Sequence, residues 1–168
     1  MRLFIFSILF ATQVFCSEDA SVYFSPNGGA TQAVVDEVAA AKRTVRIQAY
    51  SFTSKPIAAA IMAAKQRGVD VRVILDKTNE TDQYSAATFL FHAGIPVAID
   101  YLPQIAHSKV IIIDGKTVIT GSFNFTYAAE HSNVENLLIL HDKKIADRYL
   151  KNWDEREKLS RQYKTLGR

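Results

Sequence analysis

Residues 44–76 read TVRIQAYSFTSKPIAAAIMAAKQRGVDVRVILD, and this stretch sets the fold class. TVRIQAYSF reads as a strand. KPIAAAIMAAKQR follows as a helix, with Pro56 near its first turn and Gly68 just past its end, the positions where each residue suits a helix terminus. VDVRVILD then supplies the next strand. Strand, helix, strand in this order is a βαβ unit, the building block of a parallel sheet. Upstream, Val22 to Ser25 reads as a short strand ended by Pro26, Asn27, Gly28 and Gly29, before a helix from about Thr31 to Lys42 with Val34, Val35 and Val38 as its apolar stripe. Downstream, DQYSAATFLFHAG (82–94) reads as a helix closing at Gly94, and PVAID (96–100) as a strand. A hairpin within 107–124, the strand VENLLIL (134–140) and a helix from about Lys143 to Arg161 complete the chain. The expected architecture is α/β: one domain over 21–168, built on a mixed, mainly parallel β-sheet with helices on both faces.

The hairpin carries the chemistry. HSKVIIIDGKTVITGSFN (107–124) places His107 and Lys109 two apart on one strand, and Ser122 and Asn124 two apart on the other, so each pair shares a face. Asp114-Gly115 is a strong two-residue turn; used as the loop, it sets His107 opposite Ser122. A four-residue loop from Asp114 to Thr117 sets His107 opposite Asn124 and Lys109 opposite Ser122. Either register gathers all four polar groups on one face. An imidazole is a nucleophile or general acid/base near neutral pH, while lysine, serine and asparagine supply donors for phosphoryl oxygens. Such a face needs no metal to stabilise charge on a transferring phosphoryl group. The intervening Val110, Ile111, Ile112, Ile113, Val118 and Ile119 are apolar on both faces, as central strands are.

The set His107, Lys109, Asp114, Gly121, Ser122 and Asn124 matches the HxKxxxxD and GSxN pattern of the phospholipase D superfamily. Residues 49–76 and GSFNFTYAAEHSNVEN (121–136) further resemble its small bacterial, EDTA-resistant endonucleases. Members usually carry the motif twice, or once in a subunit that dimerises; this chain carries it once. The resemblance implies a phosphodiester hydrolase without a cofactor or metal, in which His107 attacks phosphorus and a second His107, from a twofold mate, protonates the leaving oxygen. It implies Lys109 and Asn124 as phosphate ligands and Ser122 as a supporting donor. It also implies an acid that orients the histidine. Glu135, a carboxylate alternating with Leu137 and Ile139, stands near that position and serves its own or the partner's His107. Asp114, at the turn, and Gly121 read as structural members of the motif.

Composition is that of an ordinary globular protein: 168 residues, 48% hydrophobic and 22% charged, long enough for a real core. Arg2 followed by LFIFSILFATQVF is the profile of a signal peptide spanning about residues 1–20, with cleavage between Cys16 and Ala20, and too short to span a membrane comfortably. Export to the periplasm or beyond is the expected outcome, with no stable membrane anchor after cleavage. Cys16 is the only cysteine and lies at the end of this segment, so the cleaved protein would have no thiol and no disulfide, and the absence of CxxC and Cys/His zinc spacings argues against a structural zinc site. A net charge of +3 is mildly basic, and the basic C-terminal residues are interleaved with acids, the pattern of a solvated helix face.

Other candidates read more blandly. His92 suits a helix end and His141 an exposed strand end, while His131 lies in a loop that can reach the mouth of the site. Phe123 and Phe125 flank Asn124 and suit the core, whereas Tyr50 and Phe52 are better placed to stack on a base. Asp76, Glu80 and Asp82 lack diagnostic metal spacing and read as loop carboxylates. The leading expectation is a homodimeric nonspecific endonuclease acting on DNA, RNA or both. A phospholipase or cardiolipin hydrolase using the same chemistry, and a nucleic-acid-binding protein without turnover, are the alternatives.

Overall fold

The computed structural model describes residues 20–81 and 85–164. Cys16 and nearly all of the expected leader lie outside this range, as does Asp82. The elements run β1 (Ala20–Phe24), α1 (Ala30–Ala40), β2 (Thr44–Ala49), α2 (Lys55–Gln66), β3 (Asp70–Asp76), a 3₁₀ turn (Lys77–Glu80), α3 (Ala86–His92) and β4 (Val97–Asp100). They continue with β5 (Lys109–Ile113), β6 (Thr117–Gly121), α4 (Tyr127–His131), β7 (Asn136–Leu140), α5 (Lys143–Leu159) and β8 (Arg161–Gln162). The short α4 and β8 have no counterpart in the sequence reading, and β7 starts two residues later than VENLLIL suggested.

All eight strands form one sheet in the order β1-β7-β6-β5-β2-β3-β4-β8. The βαβ reading holds where it was made: β2, β3 and β4 are parallel neighbours. The expectation of a mainly parallel sheet fails, because every other pairing is antiparallel. The cause is topological. Helical crossovers link only β2, β3 and β4, whereas β5, β6 and β7 are consecutive neighbours that reverse direction, and β1 and β8 are added at the edges.

Helices cover both faces. On one, Val34 and Val38 of α1, Ile57 and Ile61 of α2 and Leu90 of α3 pack with Ile47, Val71, Ile111 and Ile119. On the other, Ala146 and Trp153 of α5 pack with Ile74, Val110, Ile112 and Val118. Trp153 is 1% exposed, and its indole N–H donates to Ile47 O at 3.0 Å, tying α5 to the centre of the sheet. Arg156 clamps the fully buried Asp100 through Nε at 2.8 Å and Nη2 at 2.7 Å, which fixes the far end of α5 on β4.

Asp114 anchors the end of the β5–β6 hairpin that is remote from His107. Its carboxylate accepts N–H bonds from Lys42 at 2.9 Å, Arg43 at 2.7 Å and Thr44 at 2.9 Å, while its own N–H donates to Thr44 O. Burial alone would raise this carboxyl, but the N–H groups of Thr44, Lys42 and Arg43, with the Arg43 charge, outweigh it and hold the group below the ordinary carboxylate value. A depressed folded-state pKa contributes stability above the unfolded value and loses it as pH falls through the folded one. Asp114→Asn is therefore expected to lower unfolding free energy at pH 7 by about 3 kcal/mol. In urea titrations the deficit should shrink as pH drops below about 4; a deficit independent of pH would refute the assignment.

Candidate active site

His107, Lys109, Gly121, Ser122, Asn124 and Glu135 line one open cleft of about 330 Å³ at the end of the sheet where β2 and β3 finish and β5 begins. The residues converge, but by neither expected register. Asp114 and Gly115 do form the turn, with φ of 54° and 65°, and Lys116 N–H closes it onto Ile113 O at 3.1 Å. Lys116 is then an extra residue in the ladder, and pairing resumes with Ile113 opposite Thr117. A shift of one residue reverses which side chains share a face. A second irregularity offsets it: Ser122 and Phe123 both donate their N–H to Asn136 O, at 3.1 and 3.2 Å, a β-bulge that re-aims the strand end. Gly121 makes the bulge possible. Its φ is 147°, and a Cβ there would lie 2.2 Å from Asn136 O.

Each polar group has a distinct setting. Lys109 is 6% exposed; its ammonium donates to His107 O at 2.7 Å and lies 5.1 Å from the Tyr50 ring centre. Burial pushes this ammonium below the ordinary lysine value, and the Glu135 carboxylate draws it part of the way back. The His107 side chain is exposed and rests against Tyr50, with ring centres 4.5 Å apart. Ser122 Oγ accepts N–H bonds from Asn136, backbone at 3.1 Å and side chain at 3.3 Å, which leaves its own proton to donate elsewhere. Asn124 Oδ1 is buried without a partner among the described residues. Orphaned buried polar atoms are rare, and this one is an acceptor that only a donor can satisfy. Glu135 Oε1 accepts from Asn133 Nδ2 at 3.1 Å, and no hydrogen bond joins it to His107 within the described residues.

The supports of His107 were not evident in the sequence. Asp76, weighed only as a loop carboxylate, is 1% exposed and accepts the N–H of Ala106, the residue before His107, at 2.7 Å. Asn79 donates to Tyr50 O at 2.6 Å and to Asp76 O at 3.1 Å, and Tyr50 N–H donates to Ser108 O at 2.9 Å. Tyr50 thus carries the imidazole. Phe52, offered as a stacking residue, is fully buried and packs edge-on against Phe125; Phe123 and Phe125 are core residues. His131 lines a different cavity and faces Asn27 Oδ1 at 2.8 Å. His92 ends α3 exposed, and His141 faces Thr117 and, at 3.5 Å, Glu37.

A mixed sheet between two helical layers, with one histidine, one buried lysine and neutral donors at a strand-end cleft, defines a phosphodiesterase of the phospholipase D type. The family described as cardiolipin synthase, PLD-like domain, matches residues 34–156, and the chain belongs to it. The phospholipase D of Rickettsia prowazekii is 43% identical over 142 residues, 84% of this chain and 69% of that one. The mitochondrial cardiolipin hydrolase of Xenopus laevis is 35% identical over 114 residues, 68% of this chain and 54% of that one. Among solved structures, the phospholipase D family member Nuc of Salmonella typhimurium superposes with a TM-score of 0.83 at 41% identity, covering 87% of this chain and 98% of that one. NucT of Helicobacter pylori superposes with a TM-score of 0.80 at 25% identity over 86% and 98%.

The bulge gives a direct test of this geometry. Gly121→Ala is expected to cost about 1–3 kcal/mol of stability, and to reduce hydrolysis of bis(p-nitrophenyl) phosphate at least ~10-fold by misplacing Ser122 and Asn124. An unaltered rate in folded variant protein would show that the bulge does not position the site.

Proposed function

We propose that this protein is an exported, metal-independent, nonspecific endonuclease of DNA, RNA or both, active as a homodimer. The observation that carries the reading is the cleft itself: a histidine, a desolvated lysine and two neutral donors around one open cleft. The likeness to Nuc adds support, with a TM-score of 0.83 at 41% identity.

In the proposed reaction a ring nitrogen of His107 attacks phosphorus and the bond to the leaving oxygen breaks, that oxygen taking a proton from the His107 of a second copy. Water, deprotonated by that same second imidazole, then attacks the phosphohistidine and releases a phosphomonoester. Lys109 and Asn124 hold the non-bridging oxygens, and Ser122 donates a further hydrogen bond. Glu135 orients an imidazole, its own or the second copy's. Asp114 and Gly121 act through structure. No cofactor enters.

Apolar side chains beside the cleft suit a second copy. Val134, adjoining Glu135, is 89% exposed, and Phe24 is 64% exposed on the edge strand that pairs with β7. Among relatives, the names phospholipase D and cardiolipin hydrolase favour a second reading, hydrolysis of a lipid phosphodiester by the same steps.

A panel of DNA, RNA and cardiolipin vesicles, each with and without EDTA, separates the readings. Nucleic-acid cleavage should persist in EDTA and fall at least ~10³-fold in His107→Ala, with Lys109→Ala losing about 10²-fold. Retained activity in His107→Ala would refute the mechanism, and lipid turnover alone would favour the second reading. For the assembly, sedimentation should find a dimer that Val134→Glu converts to a monomer with loss of cleavage; a fully active monomer would overturn the shared site. Mass spectrometry of the secreted protein should find a new N-terminus between residues 16 and 20.

A further inference from the structure

Beside the catalytic cleft, the start of α2 holds donors that the fold leaves unused. The chain segment Thr53, Ser54 and Lys55 runs alongside Asn124 to Thr126: Thr53 N–H and Ser54 N–H both donate to Phe125 O, at 2.9 and 2.8 Å. Ser54 is the residue before a 12-residue helix, a position at which a serine hydroxyl ordinarily accepts an N–H of the first turn. Here it does not. Pro56 has no N–H to offer, and the N–H groups of Lys55 and Ile57 find no acceptor among the described residues. Ser54 is 5% exposed, its hydroxyl makes no hydrogen bond to any described residue, and it lines the two cavities that flank the start of α2. Thr53 lines both cavities, and its hydroxyl is likewise without a partner among the described residues. The Lys55 ammonium is exposed and pairs with no carboxylate among the described residues.

We infer that Thr53, Ser54 and Lys55 form a second phosphate subsite, which holds the phosphodiester next to the scissile one on a nucleic-acid strand. Two hydroxyls, two backbone N–H groups and an ammonium at the positive end of a helix are a donor-rich set suited to a phosphate. The nearby carboxylate does not compete for these donors. Both Glu130 oxygens are turned to the start of α1, accepting from Gly29 N–H at 2.9 Å and Thr31 N–H at 2.6 Å. The bonds from Thr53 and Ser54 to Phe125, the residue after Asn124, place the subsite on the segment that adjoins the Asn124 segment; paired segments of backbone lie about 5 Å apart. The cavity on the α3 side continues past Ala58 and Ala59 to Phe89, which is 52% exposed and offers an apolar flank for the sugar or base beyond that phosphate.

This inference rests on the nuclease reading, and its test keeps the two apart. The double variant Ser54→Ala, Lys55→Ala is compared with wild type on a trinucleotide-length or longer oligonucleotide and on bis(p-nitrophenyl) phosphate, which has a single phosphate. The expected result is a KM for the oligonucleotide raised about 5- to 10-fold, and a log–log salt slope smaller by about 1. The kcat on bis(p-nitrophenyl) phosphate should stay within about twofold, since uniform binding of a remote group leaves the chemical step untouched. An oligonucleotide KM equal to wild type, or equal losses on both substrates, overturns the subsite and leaves the nuclease reading standing. Wild-type protein that hydrolyses bis(p-nitrophenyl) phosphate but no oligonucleotide overturns both. A KM effect confined to phosphatidylcholine vesicles carrying cardiolipin, whose two phosphates are also closely linked, overturns the assignment to nucleic acid.

Discussion

Three N–H groups converging on the Asp114 carboxylate are the constraint on which the position of the site depends. They bind the turn of the β5–β6 hairpin to the segment that leads into β2, and so set which residue of β2 stands beside which residue of β5. With Val45 opposite Ile113, Ala49 falls opposite Lys109. Tyr50, the next residue, then meets His107. The seven-residue interval between His107 and Asp114 acquires a physical meaning: at about 3.3 Å per residue it is the length of a central strand, fixed by charge-assisted hydrogen bonds at one end and presenting its imidazole at the other. A register slip of one residue at the Asp114 end would reverse every side chain along β5.

The opposite end is held by a different set of bonds. Asp76 fixes Ala106, while Asn79 holds both Asp76 and Tyr50 through backbone carbonyls. Burial would raise Asp76, but N–H bonds from Thr78 and Ala106, the Thr78 hydroxyl and the Lys77 charge keep it below the ordinary carboxylate value, so it stays an acceptor at neutral pH. His107 therefore has a backbone fixed on one side and a ring surface beneath it. His107 lines the cleft, and no described residue bonds its ring nitrogens. Such an arrangement restricts where the imidazole can be without consuming the lone pair a nucleophile needs.

The sequence was most informative where structure is local. The βαβ unit of β2, α2 and β3 could be read from Pro56, Gly68 and the flanking apolar runs, and the membership of the site from the spacing of His107, Lys109, Ser122 and Asn124. Strand direction was not legible, because periodicity is the same for a strand running either way, and the antiparallel majority comes from pairings such as β5 with β2 that no local pattern encodes. The register failed for a related reason. The Asp114-Gly115 turn was correctly identified, yet Lys116 and the Ser122–Phe123 bulge each insert a residue into the ladder. Only their combination returns the polar groups to one cleft. Gly121 was the available signal, since a glycine at the end of an apolar strand marks a place where backbone approaches backbone. Asp76 and Asn79 left no such mark, as buried polar supports resemble loop residues until the contacts are known.

The burial of Lys109 links the architecture to the proposed chemistry. An ammonium at 6% exposure has already lost most of its hydration during folding, and its lowered pKa records that cost. Glu135 returns only part of what water would have supplied. A phosphate entering the cleft restores the rest, so the lysine gains more from the anion than a solvated lysine would. The gain increases as negative charge accumulates on the non-bridging oxygens, which is the property a transition-state stabiliser requires. A fully neutralised lysine would lack this preference. On the proposed reading, the Glu135 carboxylate offsets part of the burial cost of Lys109 and leaves the ammonium attracted to phosphate.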